Sequence, residues 1–171
     1  NVDVTFAQGG AGTNETKLTV NSFNFNGSGG RLTLDSVAIY SPGVTVGSKC
    51  ELVLTNAANW YMNGDFWVDN YGSLRLYGDS YLSCNQFGLG GGDSVISDST
   101  LWTRSHDFVG RNKAGGSMRF EGTHPLWWHN GKDRYFYSGL ATTAMHFDFL
   151  VPEEGYAAAP IQCISTQTKL A

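Results

Sequence analysis

Five tryptophans, eight tyrosines and ten phenylalanines stand in a chain of 171 residues, and several large aromatics recur at even steps. Trp60, Tyr81 and Trp102 are spaced by 21 and 21 residues. Phe66, Phe87 and Phe108 repeat the same step six residues later. An aromatic ring held at one place on successive turns of a coiled chain would, if it faces outward, form a binding platform. The C–H face of a sugar gains dispersion contact and buried apolar area on such a ring. Paired strands lie ~4.8 Å apart, close to the rise per unit, on the order of 5 Å, of an extended β-linked polysaccharide. If Tyr61 and Leu82 point inward, strand alternation sends Trp60, Tyr81 and Trp102 outward. Trp67 follows the core candidate Phe66 and should face solvent. Trp127 and Trp128 are adjacent, so one of them should leave the core. Arg104, with Asn63, Asn85 and Asp65, stands near enough in sequence to hydrogen-bond hydroxyls. The competing reading of the Trp60/Tyr81/Trp102 column is an internal aromatic stack, and of Trp127 and Trp128 a plug at the end of the core.

Other chemistry is sparse. His106, His124, His129 and His146 share no metal-ligand spacing. Cys50, Cys84 and Cys163 are odd in number and form no CxxC pair, so buried free thiols are expected rather than disulfides or a zinc site. The run Gly88-Leu89-Gly90-Gly91-Gly92 lies between two strands and reads as a turn, since a phosphate cradle needs a helix N-terminus. Asp65 and Asp107 share a register with Gln86 between them, and Asp69 has Gly90 and Arg111 in its column. That is scattered solvating charge rather than a catalytic acid cluster. No catalytic residue and no cofactor is expected, and nothing indicates structural calcium.

The elements that would position the aromatics are read from a repeat. Segments of apolar-x-apolar pattern begin at Leu18, Leu32, Leu52, Leu74, Val95 and Met118, with gaps of 14, 20, 22, 21 and 23 residues. Four residues after each start stands Ser22, Ser36, Asn56, Gly78, Ser99 or Gly122, a position that suits a tight bend between sheet faces. Val44-Thr45-Val46 occupies the Phe66 place one turn earlier. One turn alone cannot bury its apolar side, whereas stacked turns make a continuous core and continuous parallel sheets. The pattern predicts an all-β fold, a right-handed parallel β-helix of about 6–7 rungs of ~21 residues. Repeats run over about 17–126, with residues 127–168 as a final irregular rung and C-terminal cap. Residues 1–16 read as a weaker N-terminal cap or a frayed start. His146-Phe147-Asp148-Phe149-Leu150-Val151 and Ile161-Gln162-Cys163-Ile164 read as strands in the closing segment, and no helix is evident.

Composition agrees. Hydrophobic residues make up 41%, charged residues only 15%, and glycine 22 positions, which suits a folded chain of short strands and turns. The net charge of −4 and the lack of a basic stripe exclude nucleic acid and anionic membrane surfaces as expected partners. No apolar run approaches the ~18 residues of a membrane span. Residues 1–168 read as one domain excised from a longer chain, and Lys169-Leu170-Ala171 as a tag-linker remnant.

The solenoid repeat over 17–126, the aromatic richness and the closing Phe147-Asp148-Phe149-Leu150-Val151-Pro152 resemble the β-helical carbohydrate-binding modules attached to xylan-degrading enzymes of gut bacteria. The resemblance implies non-catalytic binding of xylan or a related plant cell-wall polysaccharide. It also implies a secreted or cell-surface bacterial protein with a glycoside hydrolase domain in the same chain. Two other readings stand beside it: a structural or adhesive β-solenoid segment of a surface protein, and a polysaccharide lyase- or glycosidase-like β-helix.

Overall fold

The computed structural model of the protein describes residues 3–7, 17–21, 25, 29–68, 71–89, 92–104, 108–110, 117–123, 125–129, 136–138 and 146–149. Among them all regular structure is short strand. β1 (Asp3–Ala7) and β2 (Lys17–Thr19) come first, and Phe25 bridges to Val46. One turn follows as β3 (Gly30–Asp35), β4 (Ala38–Ser41) and β5 (Val44–Val46). The next is β6 (Cys50–Thr55), β7 (Asn59–Met62) and β8 (Phe66–Val68). Then come β9 (Ser73–Leu76), β10 (Tyr81–Cys84) and β11 (Phe87–Leu89), and after them β12 (Asp93–Ser97), β13 (Thr100–Thr103) and β14 (Phe108–Gly110). β15 (Ser117–Glu121), β16 (Leu126–His129), β17 (Phe136–Ser138) and β18 (His146–Phe149) keep the same order.

Each strand pairs in parallel with its counterpart one turn away. The result is three sheets: β1-β3-β6-β9-β12-β15-β18, β2-β4-β7-β10-β13-β16, and β5-β8-β11-β14-β17. The chain is an all-β parallel solenoid, with about four turns forming its described body. Inside run stacked apolar columns. The first sheet contributes Leu32, Leu52 and Leu74 beside Leu34, Leu54, Leu76, Ile96 and Phe120. The second contributes Ile39, Trp60, Leu82 and Leu101, and the third Val44, Phe66 and Phe87. All of these are buried. The Phe66 and Phe87 rings stack at 5.6 Å and 10°. Burial alternates along β6, Cys50, Leu52 and Leu54 facing in and Glu51, Val53 and Thr55 facing out, the pattern of a strand with one covered face.

The bends between first and second sheets carry left-handed residues. Ser36 and Asp98 stand alone at φ 56 and 43, whereas Asn56-Ala57 and Gly78-Asp79 come as pairs at φ 53, 59, 59 and 62. Asn56 donates to Asp35 Oδ1 at 2.9 Å, tying one bend to the bend below. The expected turn column thus holds at Ser36, Asn56, Gly78 and Gly122, but in the fourth turn the bend is at Asp98 rather than Ser99. Ser99 instead accepts the backbone N–H of Ser80 at 3.2 Å. At the next corner Gly43 and Gly64 stack backbone on backbone. A Cβ on Gly64 would lie 2.6 Å from the Gly43 nitrogen, and one on Gly43 would lie 2.6 Å from the Asp65 carbonyl oxygen.

Several sequence expectations are corrected by register. Leu18 belongs to the second sheet, paired with Ile39, which explains why it stands so close ahead of Leu32 in the chain. The first-sheet place one turn before β3 is taken by β1, so Asp3–Ala7 is a paired strand and not a cap. In β12 the inward pair is Ser94 and Ile96, because Ile96 aligns with Leu76; Val95 lies on the outer face between Arg75 and Arg119, yet is only 1% exposed. The arginine stems cover it. Regular winding also continues past residue 126, through β16, β17 and β18. The strand expected over Ile161–Ile164 and the tail 169–171 lie outside the described residues, as does most of the expected cap.

Gly122→Ala should lower stability by about 1–3 kcal/mol in chemical denaturation. Gly122 sits at φ 93, and its Cβ would meet the Asp98 carboxylate at 2.4 Å. An unchanged midpoint would show that this bend tolerates a side chain.

Candidate functional site: an aromatic ladder on the second sheet

The register of the second sheet decides which rings face outward. Leu54 and Trp60 are separated by the two-residue bend Asn56-Ala57, Leu34 and Ile39 by the single bend residue Ser36. Each added bend residue moves the count by one and so exchanges the two faces. Trp60 therefore pairs with Ile39 and Leu82 on the inward side. It is fully buried, and its indole N–H donates to Ser41 Oγ at 2.7 Å, which satisfies its one polar atom inside the core. The expectation that Trp60 joins an outward platform is corrected.

Tyr81 and Trp102 do face outward, and Tyr40 and Tyr61 accompany them. Tyr40 pairs with Tyr61, Tyr61 with Ser83, and Ser83 with Trp102. Ser83 is too small to continue the ladder, and it is 1% exposed. Tyr81, two residues earlier on the same face, shares a side-chain hydrogen bond with Ser83 and fills that rung. Ring centroids follow at 4.8 Å between Tyr40 and Tyr61, 5.3 Å between Tyr61 and Tyr81, and 6.3 Å between Tyr81 and Trp102. The interplanar angles open from 15° to 43° to 56°. Tyr40 and Tyr61 thus spend their facing surfaces on each other, and the rings fan outward toward Trp102. All four are half-buried. The even count along the chain picks Trp60 in place of its neighbour Tyr61, and passes over Tyr40. The signal that finds them is the pair of two-residue bends, which the sequence writes as Asn56-Ala57 and Gly78-Asp79.

Arg104 follows β13, beside Trp102, the last described ring of the ladder. Its backbone N–H donates to the carbonyls of Cys84 and Asn85 at 3.0 and 3.2 Å. Its guanidinium lies over the Trp102 ring, 5.9 Å from the centroid, and reaches back to donate from Nη2 to the Met62 carbonyl. Its Nε is buried without a hydrogen-bond partner. Asn85 donates to the Asn63 carbonyl at 2.7 Å, and Asp65 Oδ1 accepts the Gln86 N–H at 3.2 Å. Asp65 is therefore part of a corner, and Asp107 lies outside the described residues. Trp67 faces outward from the third sheet, between Thr45 and Gly88, and does not join the ladder. The backbones of Trp127 and Trp128 pair with Leu101 and Trp102; their side chains lie outside the described residues.

Two groups, Tyr81 in the ladder and Cys84 on the same strand, have shifted ionisation. Burial raises the Tyr81 phenol above 10.0; the Ser83 hydrogen bond and the Arg104 charge oppose it, while Tyr61 and Cys84 add to it. Burial also pushes the Cys84 thiol far above 9.0, with Arg104 pulling down and Asp65 pushing up. Cys50 and Cys84 are buried thiols outside any disulfide, as expected. Among the described residues no group of three His, Cys, Asp or Glu is arranged to hold a metal ion. The first sheet's outer face has a shallow recess of about 190 Å³ lined by Arg75, Asp93, Ser94, Val95, Ser117 and Arg119. Comparison with known proteins finds no matching family model, no matching curated protein and no matching solved structure.

Trp60→Ala should cost about 3–5 kcal/mol of folding stability, the scale for truncating a buried tryptophan, whatever the ligand. A change within about 0.5 kcal/mol would place the indole at the surface instead. The two raised ionisations give a pH prediction. The unfolded chain releases the Cys84 and Tyr81 protons near pH 9.0 and 10.0, before the folded one does. Their contribution is complete below about pH 9 and is lost as pH rises above it. Denaturation midpoints measured from pH 7 to 11 should fall on the alkaline side, and Cys84→Ala should flatten that fall.

Proposed function

We propose that this protein is a non-catalytic carbohydrate-binding module whose ligand is an extended plant cell-wall polysaccharide, xylan first, held along the outward ladder of the second sheet. The single observation that carries the reading is the ladder itself: four aromatic rings on four successive strands, rising 4.8 to 6.3 Å per step. An extended β-linked glycan advances by a similar distance per sugar, on the order of 5 Å, so one sugar can meet each rung. The fan of the rings assigns different work to its two ends. Near Tyr40 and Tyr61 a sugar meets ring edges and phenol hydroxyls, which both donate and accept. Near Tyr81 and Trp102 the tilted rings offer oblique faces for C–H contact. Arg104 and the corner asparagines supply rim donors.

The solenoid in this reading is right-handed, of about 6–7 turns, and closed by a C-terminal cap in the single domain 1–168. It belongs to a secreted or cell-surface bacterial protein and is joined to a glycoside hydrolase domain, which supplies the chemistry. A second reading, a structural or adhesive solenoid segment, is favoured by the near-parallel Tyr40–Tyr61 stack, since such a pair stabilises neighbouring turns by about 0.5–1.5 kcal/mol without any ligand.

Affinity electrophoresis on xylan, mixed-linkage glucan and pectin tests the first reading, and calorimetry with β-1,4-linked oligosaccharides refines it. Affinity should climb with chain length over at least the first ~4 sugars, one for each described ring. Trp102→Ala and Tyr81→Ala should remove retardation while moving Tm little. Unretarded migration of the intact protein in every plant polysaccharide would leave the structural reading standing.

A further inference from the structure

The described arginines divide into two kinds. Arg31 and Arg75 both meet Glu51, at 2.5 and 3.1 Å, and Arg119 meets Glu121 at 2.9 Å. Each of those cations meets a carboxylate on the same sheet face, with Glu51 shared by two of them. Arg104 is different. Among the described residues no carboxylate lies within ion-pair distance of it, although the chain carries 15 acidic residues against 11 basic ones. Of the five N–H donors of its guanidinium, one is used among the described residues, by the Met62 carbonyl. The Nε is buried and unmatched.

This arrangement is costly for a purely structural residue. A buried donor without a partner has lost its bond to water and gained nothing in return. A guanidinium laid against an indole is also partly stripped of water, which strengthens any charge-assisted bond it then makes. The position is specific as well. Arg104 stands beside Trp102, where the described rings fan out most, at 56° between Tyr81 and Trp102. A ligand lying along the ladder brings its substituents past this cation.

We infer that Arg104 selects for a carboxylate on the polysaccharide, so that the preferred ligand carries uronic acid residues, either as side decorations or in its backbone. The inference rests on the ladder being a glycan site. A planar carboxylate accepts two parallel N–H bonds from a guanidinium, a fit that a neutral hydroxyl cannot match. A uronate held there places its ring against Trp102 and its carboxylate against Arg104, while neutral sugars of the same chain run back over Tyr81 and Tyr61.

The test uses one polysaccharide in two forms, glucuronoxylan before and after reduction of its uronic carboxyls to primary alcohols, with polygalacturonate as a backbone-uronate arm. By calorimetry the intact protein should bind the native glucuronoxylan roughly tenfold more tightly than the reduced one, the scale of one charge-assisted hydrogen-bond pair. The ratio should shrink with added salt. In Arg104→Gln it should fall to near one, and Arg104→Lys should retain part of it. Preference for polygalacturonate over native glucuronoxylan would place the recognised uronate in the backbone, and the reverse preference would place it in the decoration. Equal binding of native and reduced glucuronoxylan by the intact protein overturns the inference while leaving the glycan site in place. Absence of binding to all three overturns both. The comparison of native with reduced ligand needs no variant, so it stands even if Arg104→Gln fails to fold.

Discussion

A chain wound into stacked turns must put the same side of each strand inward on every turn. The bend from the first sheet to the second enforces this. It holds one left-handed residue at Ser36 and Asp98, and two at Asn56-Ala57 and Gly78-Asp79. Because side chains alternate with a period of two, one residue more or less in the bend exchanges core and solvent along the whole following strand. Everything on the second sheet follows from that count. It drives Trp60 into the core against Ile39 and Leu82, and it turns Tyr61 out beside Tyr40. Non-glycine residues at positive φ cost energy, and they persist here because Asn56 bonds to Asp35 and the Ala57 N–H to the Gly78 carbonyl at 2.7 Å.

The outward ladder is a consequence of the same stacking with one local repair. Ser83 leaves a gap between Tyr61 and Trp102, and the ring of Tyr81 closes it from two residues away. Rings that follow strict register stack nearly parallel, as Tyr40 and Tyr61 do. A ring reaching in from a neighbouring position must lie at an angle, as Tyr81 does to both neighbours. The fan that opens the Trp102 end is thus the geometric result of a serine on one rung. It also puts the most accommodating part of the ladder next to Arg104.

Charge is placed with equal economy. The first sheet binds its turns together across rungs by Arg31–Glu51–Arg75, with Val95 sheltered under arginine stems. Exposed pairs of this kind contribute little stability each, but they keep one face polar, with Glu51 shared between two guanidiniums. The second sheet has no such network around Arg104 among the described residues. Its cation is instead held against indole and backbone carbonyl, which fixes its direction without neutralising it.

The sequence by itself determined the fold class and the core. Leu32, Leu52 and Leu74, with Phe66 and Phe87, repeat at near-constant spacing, and only stacked turns bury such columns together. It also marked Tyr81, Trp102 and Arg104 as surface candidates and Cys50 and Cys84 as buried thiols. It misplaced Trp60, Leu18 and Val95, and passed over Tyr40 and Tyr61, because each depends on parity. An even average period hides turns of unequal length. The step by which Asn59 pairs with Tyr81 is longer than the step by which Tyr81 pairs with Thr100. Those excesses and deficits cancel in a count along the chain but not in the register between strands. Register is set by how many residues each bend holds in the left-handed conformation, a property of backbone hydrogen bonding across turns. Only the tertiary structure could decide it, and with it which aromatic rings meet the solvent.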